Sequence, residues 1–126
     1  MNVVDSSAWL SYFADDTNAE VFSEPINDLK ALIVPSITII EVFKCIVRQN
    51  TEDLALEATA HMKQGNVVSL DSSLAMTAGQ YGIKYQLPLA DSIIYATARK
   101  FEALVWTQDV DFKPLKGVKY YPKAIK

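Results

Sequence analysis

The chain has 126 residues, half of them hydrophobic, and a formal net charge of -3 at pH 7. With only four glycines and five prolines, this composition excludes a disordered or fibrous protein. The length suits a single domain, residues 1–126, with a sizeable core. The negative charge argues against a general polyanion binder.

Cys45 is the only cysteine and His61 the only histidine. These counts exclude a zinc site built from Cys and His, a disulfide framework, and a catalytic Cys–His or Ser–His pair. We expect His61 to be an exposed polar residue. No apolar run approaches the ~20 residues that span a bilayer, and the first residues lack the pattern of a signal peptide. We therefore expect a cytoplasmic protein that does not associate with membranes.

Apolar runs of strand length alternate with helical stretches. Strands are predicted at 2–4, 31–34, 66–70, 104–106 and 118–121, and helices at 6–14, 19–30, 37–49, 52–64, 72–85 and 88–101. The helix boundaries are predicted by three N-caps (Ser36, Thr51 and Asp71), by Gly65 in the C-terminal glycine position and by Pro88 as a first helical residue. Strands separated by helices predict a parallel sheet covered on both faces.

Four acidic residues occupy positions where a charged side chain is costly to bury. Asp5 and Asp109 follow predicted strands, whereas Glu41 and Asp91 lie within apolar helical stretches. A buried carboxylate is unfavourable unless it is paired or holds a metal. Ligands of parallel α/β sheets gather beyond the carboxyl ends of the strands. The four acids can therefore meet there around a divalent cation.

Each acid also has a structural explanation of its own. Asp5 could cap the short helix that follows it, and Asp91 would be favoured by the dipole of its helix. Asp109 could be a turn residue. One shared cause explains all four acidic positions, Glu41 included, better than four independent coincidences.

Glu41 is harder to explain structurally, because nearly every residue from 37 to 47 is apolar and few faces of that helix are expected to be solvated. The structural alternative is an ion pair with Lys44 or Arg48 along the same helix.

Four segments carry a likeness to a known family. They are Val3-Val4-Asp5-Ser6-Ser7-Ala8, Thr38-Ile39-Ile40-Glu41-Val42, the stretch 87–98 and Thr107-Gln108-Asp109-Val110-Asp111-Phe112. They resemble the PIN-domain nucleases, and the small size favours the VapC-type toxins of toxin–antitoxin pairs. The resemblance implies a three-layer α/β/α domain with a central parallel sheet of about five strands. It also implies an Mg²⁺- or Mn²⁺-dependent endoribonuclease, usually dimeric and inhibited by a cognate antitoxin.

The resemblance also assigns residues. The catalytic and metal-binding quartet it implies is Asp5, Glu41, Asp91 and Asp109. The supporting residues it implies are Ser7, Thr107 and Asp111, of which Asp111 fits a position that is less uniform in the family. Oxygen ligands of this kind suit Mg²⁺ or Mn²⁺. Because clustered acids repel one another, we expect raised pKa values among them.

Basic residues are expected to contact the RNA. The candidates are Lys44, Arg48, Arg99, Lys113 and Lys116, with Lys119, Lys123 and Lys126 continuing an acid-free tail. The tail can also be read as a solvated end of the chain.

Three other readings compete with the nuclease. A phosphate-handling receiver domain would need an acidic pair after its first strand, where Asp5 is followed by Ser6 and Ser7. A phosphatase with a nucleophilic Asp would need a second Asp at position 7. The remaining alternative is a non-catalytic partner-binding protein whose acids are structural caps.

Overall fold

A single parallel sheet of five strands forms the centre of the computed structural model, which describes residues 1–123. The strand order is β3-β2-β1-β4-β5, and every pairing is parallel. The strands are β1 (Asn2–Val4), β2 (Leu32–Pro35), β3 (Asn66–Val68), β4 (Leu104–Thr107) and β5 (Val118–Tyr120). This result confirms the predicted α/β fold class and the number of strands.

Six helices connect the strands. They are α1 (Ser6–Phe13), α2 (Ala19–Asn27), α3 (Ser36–Gln49), α4 (Glu52–Met62), α5 (Ser72–Tyr85) and α6 (Leu89–Lys100), and short 3-10 turns lie at Leu29–Ala31 and Val110–Phe112. Within the described residues, no helix combines the length and apolar character needed to cross a membrane.

The two faces of the sheet are covered by different helices, as the alternation of side chains along a strand requires. Val4 and Trp106 point into a core with Trp9 of α1, whereas Val3 and Val105 point into a second core. The first core also contains residues of α2, α3 and α4, and the second contains residues of α6. The chain is therefore a three-layer α/β/α domain.

The topology fixes where the functional residues meet. β1 and β4 are neighbours near the middle of the sheet, and both run in the same direction. Asp5 follows β1 directly, and Asp109 lies two residues beyond β4. The acids that end these strands therefore lie at the same, carboxyl edge of the sheet.

Two predicted helix caps are confirmed. The Thr51 hydroxyl oxygen accepts a hydrogen bond from Leu54 N at 3.2 Å, and Asp71 Oδ1 accepts one from Leu74 N at 2.8 Å. Each side chain satisfies one backbone N–H that has no partner inside the helix.

The predicted cap at Ser36 is wrong. Ser36 is the first residue of α3, and Pro35 at the end of β2 occupies the cap position without a side-chain hydrogen bond. The strand runs straight into the helix here, leaving no loop residue to act as a cap. Pro88 likewise caps α6, which begins at Leu89 rather than at the proline.

Gly65 does not end α4 in the predicted left-handed conformation, since among the described glycines only Gly117 has a positive φ. Gly65 serves packing instead. A Cβ at this position would lie 2.9 Å from Val34 Cγ2 and 3.0 Å from Leu32 Cδ2. The predicted role of Gly65 in ending α4 is therefore wrong, since the helix ends at Met62 with Lys63 as its cap. The sequence pattern does not reveal the close approach of Gly65 to β2.

The expectation of an exposed His61 is also wrong. Its ring is half-buried and lies edge-on to three aromatic rings of α1. The centroid distances are 6.3 Å to Trp9, 5.6 Å to Tyr12 and 5.8 Å to Phe13. The contact depends on how α4 crosses α1, which the polar neighbours of His61 in the sequence do not indicate.

The close contact between α5 and α6 generates a stability prediction. A Cβ at Gly82 would lie 2.7 Å from Ser92 Oγ, which is held in place by donating to Pro88 O at 2.9 Å. We predict that Gly82→Ala lowers the free energy of unfolding by about 1 to 2 kcal/mol, because overpacking outweighs the roughly 1 kcal/mol that alanine contributes in a helix.

Urea denaturation measures this effect, and Ser92→Ala is the matched control. The next nearest atom to the added Cβ is Ser92 Cβ at 3.5 Å, which is an ordinary contact. The double variant should therefore recover most of the stability. A Gly82→Ala protein as stable as wild type would contradict the prediction.

Candidate active site

Asp5 is almost completely buried, with 2% of its surface exposed, and it is held by hydrogen bonds from three residues. Its Oδ1 accepts from Ala8 N at 3.0 Å and from Ser7 Oγ at 2.8 Å, and its Oδ2 accepts from Thr107 Oγ1 at 2.8 Å. The bond from Ala8 makes Asp5 the N-cap of α1. The structural explanation of Asp5 is therefore correct, and it coexists with a place in the acidic site.

Thr107 links Asp5 to the loop that carries Asp109. While its hydroxyl donates to Asp5, its oxygen accepts from Asp109 N at 2.8 Å. Ser7 makes a parallel link, since its hydroxyl donates to Asp5 and its oxygen lies 3.3 Å from Gln108 N. Ser7 and Thr107, both predicted as supporting residues, thus join the ends of β1 and β4.

Asp91, Asp109 and Asp111 form the tightest acidic group among the described residues. One carboxylate oxygen of each lies within 4.8 Å of the other two. Asp91 comes from the first turn of α6, and Asp109 caps the 3-10 turn by accepting from Asp111 N at 2.9 Å. Asp111, whose role the sequence left doubtful, is therefore a direct member of the group.

Burial and mutual repulsion raise the pKa values of two of these acids. The pKa of Asp5 rises from 3.8 to about 6, chiefly because burial penalises the charged form, although the three hydrogen bonds oppose the rise. The pKa of Asp91 rises to about 8 through burial and through the negative charges of Asp109, Asp5 and Asp111. The expected rise among clustered acids is confirmed for these two residues.

Glu41 lies outside this tightest group. Its Oε1 accepts a hydrogen bond from Ser6 Oγ at 2.5 Å, which connects α3 to the start of α1. The helix is less enclosed than its apolar sequence indicated, since Ile40 is 55% exposed and Lys44 is also exposed. The role of Ser6 as the partner of Glu41 was not predicted from the sequence, although the position of Ser6 beside Asp5 offered a signal.

Two of the predicted basic residues share a cavity with Glu41. Lys44 and Arg48 are exposed on α3 and, with Glu41 and Ala90, line a cavity of about 430 Å³. Ala90 is the immediate neighbour of Asp91. The cavity therefore places the two cations with Glu41 and the start of α6.

Arg99 lies elsewhere. It is at the carboxyl end of α6, eight residues beyond Asp91, and its Nη2 donates to Ala103 O at 2.7 Å. A Cβ at Gly117, which has a φ of 79°, would lie only 2.4 Å from this guanidinium. Arg99 therefore packs at the amino edge of the sheet and is not brought to the acids.

The predicted lysine tail does not form one surface. Lys113 follows the 3-10 turn beside Asp111, with its Nζ 5.5 Å from the ring centre of Tyr120. Lys119 lies 4.5 Å from the ring centre of Trp106. Lys116 is exposed and next to Gly117 at the amino edge of β5. Lys126 lies outside the described residues.

A model of the PIN domain matches residues 3–118, which is most of the chain. The chain belongs to the PIN domain family. A search of curated proteins gives no significant match.

Solved structures share the fold of this PIN domain over nearly its whole length. A toxin–antitoxin complex from Klebsiella pneumoniae matches with a TM-score of 0.82 and 21% identity, covering 98% of this chain and 100% of that one. The sarcin–ricin-loop-cleaving toxin VapC20 of Mycobacterium tuberculosis matches with a TM-score of 0.80 and 18% identity, covering 97% and 100%. A DNA-bound VapBC from Salmonella typhimurium matches with a TM-score of 0.71 and 15% identity, covering 96% of each chain. At these identities the likeness concerns the fold.

The acids of this PIN domain suit a hard divalent cation. They supply only carboxylate oxygens, and the raised pKa values of Asp5 and Asp91 show that negative charge is unfavourable there without a compensating cation. Mg²⁺ and Mn²⁺ prefer such oxygen ligands. The residues present therefore fit the metal that the fold implies.

These pKa shifts predict that the metal-free protein loses stability as pH rises. A folded-state pKa above the unfolded value means that the folded protein retains a proton that the unfolded chain releases. The contribution of Asp5 is present below its unfolded pKa of 3.8 and is lost as the pH rises through about 6. At 1.36 kcal/mol per pKa unit, the loss is about 2 to 3 kcal/mol.

Urea denaturation in EDTA across about pH 4 to 8 measures this loss. Asp5→Asn should weaken the pH dependence, because asparagine does not ionise yet remains a good N-cap. Mn²⁺ should restore stability to wild type at the upper end of the range. Equal pH dependence in the two proteins would contradict the prediction.

Proposed function

We propose that this PIN domain is a metal-dependent endoribonuclease acting as the toxin of a toxin–antitoxin pair. The observation that carries the proposal is the cluster formed by the carboxylates of Asp91, Asp109 and Asp111. One oxygen of each lies within 4.8 Å of the other two, and the cluster is next to the buried Asp5. The negative charges of Asp5 and Asp109 both raise the pKa of Asp91, which supports their proximity.

Asp5, Asp91 and Asp109 are proposed as catalytic residues and ligands of Mg²⁺ or Mn²⁺, with Asp111 as an additional ligand. Glu41 completes the proposed quartet from the α3 side, where its bond to Ser6 orients it. When bound, such an ion supplies a water that ionises more readily and offsets the negative charge that develops on the phosphoryl oxygens.

The protein's own contribution is to hold the acids in place before substrate arrives. Ser7 and Thr107 fix both oxygens of Asp5, and Thr107 also fixes the backbone at Asp109. Because these bonds join β1 to β4, a shift of either strand end would move two proposed ligands together. Preorganisation of this kind avoids rearrangement during the reaction.

RNA is the proposed substrate, and Lys44 and Arg48 are proposed to bind its phosphates beside the cleaved bond. Both are exposed on the cavity that Glu41 and Ala90 also line. Lys113 is a further candidate, since it follows the turn that carries Asp111. Arg99 and Lys116 are left out of this surface because they lie at the amino edge of the sheet.

An antitoxin is the proposed protein partner, and a second copy of the chain is proposed to form a homodimer. The structural neighbours include a toxin–antitoxin complex and a VapBC assembly, which supports an antitoxin. A groove of about 1080 Å³ has an apolar wall that includes Leu10 and Phe13 and acidic residues that include Asp16 and Glu57. It suits an apolar segment that carries basic side chains.

The purified protein should cleave RNA only when Mg²⁺ or Mn²⁺ is added, and EDTA should stop cleavage. Asp91→Asn should lower the cleavage rate at least about 100-fold, since losing one charge-stabilising group at such a site typically costs about 10²–10³ in rate. The matched control is Asp53→Asn, because Asp53 is exposed in the first turn of α4.

Circular dichroism should show the same fold in both variants. Cleavage that survives EDTA would contradict the proposal. Growth arrest on expression that persists in Asp91→Asn would instead support the non-catalytic, partner-binding alternative.

Lys44→Ala combined with Arg48→Ala should weaken RNA binding and reduce its salt dependence. For single-stranded RNA the slope of log K against log salt changes by about 0.7 for each phosphate that the protein no longer neutralises. Fluorescence anisotropy in the Asp91→Asn background separates binding from cleavage. The control replaces Lys30 and Lys100, both exposed, by alanine. If this pair weakened RNA binding as much as the Lys44 and Arg48 pair does, Lys44 and Arg48 would be removed from the proposed surface.

A further inference from the structure

Gln108 places a buried amide at the edge of the acidic site. It lies between Thr107, the last residue of β4, and Asp109, and only 8% of its surface is exposed. Burying a side-chain amide costs free energy unless its polar atoms find partners. An apolar side chain would fill the same volume at lower cost, so the partners of the amide are what distinguishes this position.

Both polar atoms of the Gln108 amide have partners in other elements. Its Nε2 donates to Ser7 O at 3.3 Å, and its Oε1 accepts from Asn18 Nδ2 at 2.8 Å. Ser7 belongs to the first turn of α1, and Asn18 directly precedes α2. One side chain therefore ties the loop after β4 to the starts of two helices.

The side chain of Asn18 serves this link and not its own helix. Asn18 occupies the N-cap position of α2 but makes no capping hydrogen bond with its side chain, although asparagine is among the residues preferred for one. Its Nδ2 instead donates to Gln108 Oε1 and, at 3.0 Å, to Pro122 O. These partners lie 90 and 104 positions away in the chain. Tertiary contacts therefore orient this side chain.

Gln108 holds Ser7 at two points. Its backbone N donates to Ser7 Oγ at 3.3 Å, while its side chain donates to Ser7 O. The Ser7 hydroxyl has a single proton to donate, and its oxygen lies 2.8 Å and 3.1 Å from the two carboxylate oxygens of Asp5. Because the hydroxyl oxygen accepts from Gln108 N, its proton is directed to Asp5.

The same contacts fix the start of the loop that carries Asp109. Gln108 N is bonded to the Ser7 hydroxyl, and Asp109 N donates to the Thr107 hydroxyl at 2.8 Å. Each of these hydroxyls also donates to Asp5. The amide bonds of Gln108 add two anchors to this loop, one on α1 and one beside α2.

We propose that Gln108 is a positioning residue for the acidic site and that Asn18 acts through it. Gln108 sets Ser7 against Asp5 and holds the loop that carries Asp109, so that the two acids keep one spacing before a divalent cation arrives. Such a residue acts on the metal through the groups that orient its ligands. This inference rests on the metal-binding site of the proposed function and adds two residues that support it.

Mn²⁺ binding, measured by isothermal titration calorimetry, tests the role of Gln108 without relying on cleavage. Gln108→Met keeps the length of the side chain and removes both amide bonds. It should weaken Mn²⁺ binding about tenfold, at the lower end of the 10- to 100-fold loss that is typical for residues orienting metal ligands. Asn18→Leu removes one of the two bonds and should weaken binding by a smaller factor.

Asn66→Leu is the matched control. Asn66 also uses its side-chain amide for a long-range bond, to Leu32 O at 2.9 Å, but it lies at the start of β3, on the edge of the sheet opposite the acids. Urea denaturation should show a loss of stability in this variant, whereas its Mn²⁺ affinity should equal that of wild type. A purely structural role of Gln108 would give the same pattern.

The outcomes separate this inference from the proposed function. If wild type binds Mn²⁺ and folded Gln108→Met binds it equally well, the positioning role is overturned and the metal site stands. If Gln108→Met does not fold, unchanged Mn²⁺ affinity in Asn18→Leu overturns it. A wild type that does not bind Mn²⁺ would overturn the metal site of the proposed function and this inference with it.

A double variant tests whether Asn18 acts through Gln108. Residues that share one hydrogen bond have non-additive effects when both are replaced. The double variant Asn18→Leu, Gln108→Met should therefore bind Mn²⁺ within about twofold of Gln108→Met alone, because the link is already broken. A loss equal to the product of the two single losses would overturn the role assigned to Asn18.

Discussion

The carboxylate of Asp5 sits at the end of a central strand with 2% of its surface exposed, and the rest of the site depends on how the protein keeps it there. Burial alone would neutralise this acid. Three hydrogen bonds, from Ser7, Ala8 and Thr107, oppose that effect by favouring the charged form. The balance leaves the pKa at about 6, so the group can ionise when a cation compensates its charge.

The parallel sheet explains why residues more than 100 positions apart belong to one site. Parallel neighbours need a crossover, and β1 and β4 are adjacent although six helices separate them in the chain. Their carboxyl ends therefore coincide, and the loop after β4 meets the helix after β1. Thr107 uses this proximity twice, as a donor to Asp5 and as an acceptor for Asp109 N.

The sequence predicted those features that depend on local pattern. All five strands were found, and the caps Thr51 and Asp71 make the expected bonds, because a cap acts within three residues. Features that depend on tertiary approach were missed. Gly65 serves close packing against β2, and His61 meets the aromatic rings of α1.

The candidate site shows the same division between residues that local pattern predicts and contacts that depend on tertiary approach. Asp5, Asp91 and Asp109 could be placed at one edge because strand ends and helix starts set their positions. The membership of Asp111 and the bond from Ser6 to Glu41 depend on a short 3-10 turn and on the angle between α1 and α3. Neither follows from periodicity or spacing. The catalytic and metal-binding role is a proposal for all four acids of the quartet.

Arg99 and Gly117 constrain one another at the edge of the sheet farthest from the acids. The guanidinium fills the volume that any side chain at position 117 would need, and the positive φ independently favours glycine there. A side chain at position 117 would therefore require the guanidinium of Arg99 to move away. A homologue without the arginine would gain room at 117 but would still face the backbone restriction, so the arginine is the more replaceable member of the pair.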